Sequence, residues 1–305
     1  MSILNKSRPA ATGLSKPSAV TRALLRRSAA ARRERSAKVK MVLGGALTAI
    51  VVLPIILAQV LPLPDPNAQA IMTRFRPPLV GGHLFGTDQL GRDILSRVLH
   101  GGQVSLTIGV LAVLVSGFIG IVLGALAGFF GGWIDSVVSR LIEAQLSLPL
   151  LMMLLLVVAL FGPSIPVITF VIAIAQWPEP ARLTRSLVLV EREKPYVQSA
   201  RVLGLPQLTT LVRHVLPNVI NQVIVVVLLL LATAVLMESA LSFLGAGPQR
   251  PFATWGRIIS DGQEFITTSW WIVTLPGFVI AALVVGVNLL ADGVRDRVRH
   301  RKAES

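Results

Sequence analysis

Residues 196–218 read YVQSARVLGLPQLTTLVRHVLPN. This polar island lies between strongly apolar segments, and its punctuation decides how the chain is read. Val197, Ala200 and Leu203 recur at helical spacing and predict one short helix. Gly204 supplies a residue able to end that helix with a positive φ. Pro206 stands where a second helix can begin. Leu208, Leu211, Val212 and Val215 give the second helix an apolar face, and Pro217 predicts a break or kink before the next apolar run. Two short helices with small residues and a basic edge form either an ordinary connecting loop or a surface that another protein grips. Periodicity leaves both readings open.

The segments around the island are membrane-like. Of 305 residues, 53% are hydrophobic and only 14% charged, a composition unsuited to a soluble core. With no cysteine, disulfides and thiolate metal sites are excluded. Four scattered histidines suggest no zinc site. The formal charge of +14 raises nucleic-acid binding as a class, but the placement of the charge points to membrane topology.

Residues 1–40 form a basic tail in which Glu34 is the only acid. It has too few large apolar residues for a core and reads as disordered. A transit peptide or a nucleic-acid arm has similar composition; the plainer reading is a cytoplasmic anchor against anionic lipid. Met41–Leu61 is an uncharged run long enough to span a bilayer. Ala68-Gln69-Ala70 looks like a signal-peptidase site, yet the long charged lead fits an uncleaved anchor better.

Within 62–103, Leu90, Ile94, Leu95, Val98 and Leu99 share one helix face, with Arg92, Asp93, Ser96 and Arg97 opposite. Thr87 is the expected N-cap and Gly101-Gly102 the expected end, giving a helix at the membrane interface. Val104–Phe130 is a second span, whose Gly109, Gly117, Gly120, Gly124 and Gly128 allow close helix approach. Gly131–Glu143 connects it to a third span, Ala144–Phe161. Val219–Leu244 and Trp270–Leu290 read as further spans, the latter led by two tryptophans suited to an aromatic belt.

Ile165–Trp177 is short for a span, and charge counting decides it. If it crosses, 23 of the 29 Lys and Arg residues lie inside and 6 outside; if not, the split is 14 to 15. The positive-inside rule selects six spans with both termini cytoplasmic.

The island resembles the EAA loop of ABC importer membrane subunits, E-A-A-x-x-x-G followed by I-x-L-P. Gln198-Ser199-Ala200, Gly204 and Val215-Leu216-Pro217 stand in its places, with Gln198 where the pattern has Glu. Phe85–Arg97, FGTDQLGRDILSR, is similar to the G-T-D-x-x-G-R-D-x-x-S-R signature of the dipeptide, oligopeptide and nickel importers. Its matching residues are Gly86, Thr87, Asp88, Gly91, Arg92, Asp93, Ser96 and Arg97. ESALSFLG at 238–245, Trp255-Gly256 and NLLADGVRD at 288–296 fit the C-type permease of that subfamily; Gln103 stands where many relatives have Arg.

The resemblance covers about 40–300 and implies an all-α integral membrane protein, the type I ABC importer permease fold. A core domain over 104–292 would contain a cytoplasmic coupling loop at 178–218, with a short cytoplasmic tail at 293–305. Tyr196, Val197, Gln198, Ser199, Ala200, Arg201, Gly204, Leu216 and Pro217 would dock on a separate ATPase, with Arg201 and Arg213 free for its acidic groups. Two ATPases carrying ATP and Mg, a second homologous permease and an extracytoplasmic substrate-binding protein are the implied partners, in the bacterial inner membrane. The solute would be a di- or oligopeptide, or nickel, glutathione or another small solute.

No P-loop pattern occurs, so this chain is not expected to bind nucleotide. No nucleophile–base set stands out, and no catalytic or metal residue is assigned. Glu238, with Ser239 and Ser242, is the candidate gate or pathway group, because a carboxylate in an apolar run is costly. Pairing with an outer-loop Arg or a partner subunit is the plainer reading. A proton-coupled secondary transporter using Glu238 is the rival class; paired intramembrane charges and internal repeats would favour it, and neither is seen.

Overall fold

The computed structural model describes residues 19–249 and 251–304, with side chains over 35–249 and 251–297. Eleven α-helices carry the fold among these residues: α1 Ala19–Ile56, α2 Ile94–Phe130, α3 Gly132–Leu146, α4 Leu150–Phe161, α5 Ile165–Gln176, α6 Pro178–Glu191, α7 Pro195–Val202, α8 Gln207–Thr210, α9 Leu216–Phe243, α10 Trp255–Gly262 and α11 Trp271–Glu304. Strand pairing in the described residues is limited to the isolated bridges Val80–His83 and Thr87–Asp93.

Residues 19–40 correct the expectation of a disordered tail. They are the first turns of α1, since Ala, Arg and Leu are strong helix formers and the apolar run behind them supplies the nucleus. Residues 1–18 lie outside the described residues.

Four helical stretches are long and apolar enough to cross a membrane: Arg35–Gln59, Ile94–Phe130, Gln207–Phe243 and Trp271–Arg297. A fifth is counted if Gly132–Leu146 and Leu150–Phe161, bent by 90°, are one broken span. The expected straight span 144–161 is therefore interrupted. Pro149 disfavours helix at Leu148, and the chain turns at Ser147–Pro149. The expected span 165–177 is only α5, about 18 Å long, against a hydrocarbon core of about 30 Å. It does not stop there: Trp177 keeps helical angles, φ −60° and ψ −27°, and the chain runs on as α6.

α2 corrects the reading of 87–103. Asp93, not Thr87, caps the helix, accepting from the Ser96 N–H at 2.8 Å. Gly101 and Gly102 do not end it; both are buried inside it. A Cβ on Gly102 would stand 2.8 Å from the Trp255 ring, and one on Gly101 3.2 Å from the Ala253 carbonyl. These glycines are packing contacts rather than stops. The expected boundary at 103 thus falls within one helix.

Two glycine seams bind the bundle. Gly120, Gly124 and Gly128 of α2 lie against the backbone of α6, where a Cβ on Gly128 would sit 2.7 Å from the Arg185 carbonyl. Gly117 meets only the side chain of Val227, and Gly109 meets chiefly the side chains of Val235 and Leu231. Gly44, Gly286 and Gly293 draw α1 and α11 together; a Cβ on Gly293 would be 2.8 Å from Met41 N. Lys40 Nζ donates to Asp296 at 2.9 Å across this seam. Small residues permit the close van der Waals packing that substitutes for hydrophobic drive within lipid. Asp292 lies within α11, which continues past it.

Candidate functional site

The elbow at 196–218 is rooted in the end of α2 and α6. Val197 points inward with Ala125, Phe129, Val188, Leu211, Val215 and Val219, and Ala200 is buried as well. Arg192 Nη1 donates to the Gly128 carbonyl at 2.9 Å, satisfying the last turn of α2. α7 closes in a Schellman motif: Leu205 N–H donates to Ala200 O at 3.1 Å and Gly204 N–H to Arg201 O at 3.0 Å. Gly204 holds φ +76°, as its place in the sequence predicts.

Pro217 does not break the chain. Leu211–Val215 form a π-turn, in which Leu216 N–H donates to Leu211 O, and the helix runs on into α9. Widening the turn upstream lets a proline without an N–H enter the next helix at its first turn. The His214 carbonyl is then taken by the Asn218 side-chain amide at 2.7 Å.

Glu191, which sequence reasoning did not single out, ties the elbow together. Its side chain is only 8% exposed. It accepts from the Tyr196 hydroxyl at 2.7 Å and from Lys194 Nζ at 3.0 Å. Asn218 Nδ2 donates to the same tyrosine oxygen at 3.0 Å. Burial, followed by the adjacent carboxylate of Glu191, pushes the Tyr196 hydroxyl up to about 12.

The outward side of the elbow is apolar. Val202, Leu203, Leu208 and Val212 are 88%, 79%, 60% and 52% exposed. Gln198, Ser199 and Pro217 are exposed beside them, and Leu216 is half-buried. Arg213 is exposed, whereas Arg201 lies with its guanidinium 5.1 Å from the Phe129 ring centroid, a cation–π contact. Nearby, Asp135 and Arg185 join α3 to α6, with Nη2 donating to Oδ2 at 2.7 Å.

The signature lies at the opposite end of α2, roughly 50 Å away at 1.5 Å per residue. Gly86 and Gly91 take positive φ, folding 86–93 into a knot. Arg92 and Arg97, read as the polar face of an interfacial helix, are buried, at 5% and 2% exposed. Asp88 Oδ2 accepts from Arg92 Nε at 2.7 Å and Arg97 Nη1 at 2.5 Å. Thr87 Oγ1 donates to Thr73 O at 2.5 Å. Ser96 Oγ donates to Pro64 O at 2.5 Å, and Asp93 Oδ2 lies 2.8 Å from His83 Nδ1. Gln103 Nε2 donates to Ile55 O at 2.8 Å, fastening α1 to α2.

Glu238, Ser239 and Ser242 are buried beneath α10. Ser242 Oγ donates to Glu238 Oε1 at 2.6 Å. A Cβ on Gly256 would stand 2.8 Å from Ser239 Cα, so α10 rests directly on this turn of α9. Trp255 Nε1 donates to Val98 O at 2.9 Å and completes the junction with α2. Hydroxyl groups, not an outer-loop Arg, neighbour the carboxyl of Glu238. The elbow residues are thus gathered at one end, and the gate and signature residues at the other.

Comparison with known proteins bears on this arrangement. Residues 120–303 match the family model described as binding-protein-dependent transport system inner membrane component. The chain is 41% identical over 72% of its length to an oligopeptide transport system permease protein of Escherichia coli, covering 73% of that protein. It is 39% identical to a dipeptide transport system permease protein of Alkalihalophilus pseudofirmus, over 70% of each chain. A di/tripeptide transport system permease protein of Pseudomonas aeruginosa is 38% identical over 76% of this chain and 78% of its own. The crystal structure of an amino acid ABC transporter with histidines superimposes with a TM-score of 0.51 at 20% identity, covering 68% of this chain and 94% of that one; this likeness concerns the fold.

Proposed function

Because this chain belongs to the family of binding-protein-dependent transport system inner membrane components, we propose that it is the membrane-spanning permease subunit of an ATP-driven importer of di- or oligopeptides. The peptide cargo rests on relatives named for oligopeptide, dipeptide and di/tripeptide transport. The observation that carries the mechanism is the elbow: a glycine-closed turn with an outward apolar face, fixed by a buried core to the end of a helix 37 residues long.

Separate ATPase subunits hold ATP and Mg and dock on Tyr196, Val197, Gln198, Ser199, Ala200, Arg201, Gly204, Leu216 and Pro217. Their closure moves the elbow as a rigid lever. Desolvation of Val202, Leu203, Leu208 and Val212 drives that docking. A neutral Gln198 in place of a carboxylate leaves shape and apolar contact to do the recognition. A homologous second permease completes the pathway, and a substrate-binding protein delivers solute at the opposite face.

The charge distribution supports six crossings with both termini and the elbow cytoplasmic. The broken α3–α4 pair and the α5–α6 helix supply the third and fourth. Glu238 with Ser239 and Ser242 acts as a hinge point under α10, closing the outer side.

Reconstitution with the partner permease, ATPases and binding protein tests the reading: uptake of labelled dipeptide should require ATP hydrolysis. Uptake that persists without ATP and collapses with the proton gradient would instead assign a proton-coupled carrier.

A further inference from the structure

A cleft opens between the start of α2 and α10, lined by Asn67, Gln69, Arg92, Arg97, Arg257 and Asp261. Its guanidinium groups are incompletely matched. Nη2 of Arg92 and Nε of Arg97 are buried without a hydrogen-bond acceptor. Asp88, behind them, is already committed: it accepts the Leu90 and Arg92 N–H groups at 2.8 and 2.9 Å as well as both arginine side chains.

Asp261 is the carboxylate on the cleft side, and it accepts only long hydrogen bonds, from Arg97 and Arg257, with Arg92 beyond hydrogen-bond distance. It lies 3.6 Å from Arg92 Nη2, 3.4 Å from Arg97 Nη2 and 3.3 Å from Arg257 Nε. A full charge-assisted contact is about 2.7–2.9 Å. Among the described residues of the cleft, three guanidiniums and two carboxylates leave one positive charge uncompensated. A buried cation short of partners is costly, and a second planar carboxylate entering the cleft relieves that cost.

We propose that this cleft binds the terminal α-carboxylate of the peptide solute, on the face of the protein opposite the elbow. The inference rests on the peptide-importer reading above and names the part of the solute that this chain touches. A single net positive charge matches a monoanion. The flat, two-oxygen group fits guanidinium forks, which recognise carboxylates bidentately. Every linear peptide carries this group whatever its side chains, so the site reads a peptide without reading its sequence. Asn67 and Gln69 add amides at the rim for the adjoining peptide unit.

Dialanine and its C-terminal amide are the probes, titrated by calorimetry into the purified full transporter complex without the soluble binding protein. Dialanine should bind, and the amide roughly tenfold more weakly or worse, the order expected when a charge-assisted contact is lost. Arg257→Gln should weaken dialanine by a similar factor; Arg257 is partly exposed and makes no contact with Asp88, so the cap should still fold. Asp261→Asn should tighten dialanine, because it removes the carboxylate that competes for the arginines. A merely structural ion pair predicts lower melting temperature for both variants and no gain in affinity. Equal affinity for dialanine and its amide, weakening by Asp261→Asn, or binding only after the soluble binding protein is added, each overturns the proposal. ATP-driven uptake is measured on the same preparation. Normal uptake without carboxylate selectivity rejects this site and leaves the importer reading standing; wild-type complex that never transports peptide rejects the reading itself.

Discussion

Nothing lies within 4 Å of the point where a Cβ on Gly204 would stand, yet its φ is +76°. The demand there is purely conformational. Gly204→Val should strain the turn by about 1–3 kcal/mol and shift the outward face of the elbow. Assembled complex carrying it should still hydrolyse ATP while peptide uptake falls, and Gly204→Asn, which tolerates this backbone better, should retain most uptake. Full coupling in the valine variant would count against the lever. Tyr196 offers a second reading of the same joint, since it is the only tyrosine in the chain. Its hydroxyl is pushed up to about 12, against about 10 for a free tyrosine. A raised folded value means the stabilisation is complete below about 10 and is lost as pH rises through 12. Near-ultraviolet titration of the folded chain should show that late ionisation, and Glu191→Gln should bring it back towards 10; a midpoint already near 10 in wild type would contradict the Glu191 tie. Gly204 is legible in sequence because a left-handed helix end leaves a local mark. Glu191 is not, because its partners come from different elements. Arg92 and Arg97 mislead as well: a helical wheel puts them on the polar face of an interfacial helix, while Asp88, in a turn folded back at Gly86 and Gly91, holds them inside.

At the scale of elements, glycine spacing in α2 is a faithful guide and glycine pairs are not. Gly120, Gly124 and Gly128 recur every fourth residue and make the seam with α6. Gly124→Leu should force that seam apart, since even a Cβ would lie 2.9 Å from Thr184 Cβ; overpacking of this kind costs about 1–3 kcal/mol and should lower the melting temperature in detergent. Gly117→Ala, which meets only a valine side chain at 3.0 Å, should be milder, and equal losses would argue against a backbone seam. Asp135 and Arg185 join α3 to the other side of α6. Asp135→Asn should melt earlier than wild type in detergent, by about 1 kcal/mol or more of lost charge-assisted bonding; an unchanged melting temperature would argue against this tie. The pattern of apolar runs locates most helices, but not the bend at Ser147–Pro149, where a continuous apolar run hides a proline that stops the helix. Nor does it reveal the π-turn that carries the chain past Pro217, because a bulge in hydrogen-bond register has no hydrophobic period.

In the whole molecule, α2 runs from the arginine knot of the signature to the core that roots the elbow, so both ends of the protein are attached to one long helix. Composition makes the membrane class legible before any coordinates. What it does not show is the outer cap, whose ion network joins residues 88, 92, 97, 257 and 261. The central claim is that the elbow is a cytoplasmic contact for an ATP-hydrolysing partner. The natural chain has no cysteine, so Gln198→Cys gives a unique handle on that surface. Treated with a membrane-impermeant maleimide, it should label in inside-out vesicles and not in intact cells or spheroplasts. With a short bifunctional reagent it should crosslink to a cysteine in the ATPase cleft, in a yield that changes with ATP. Labelling from the outside, or a complex in which no ATPase is captured at this position, would contradict the account.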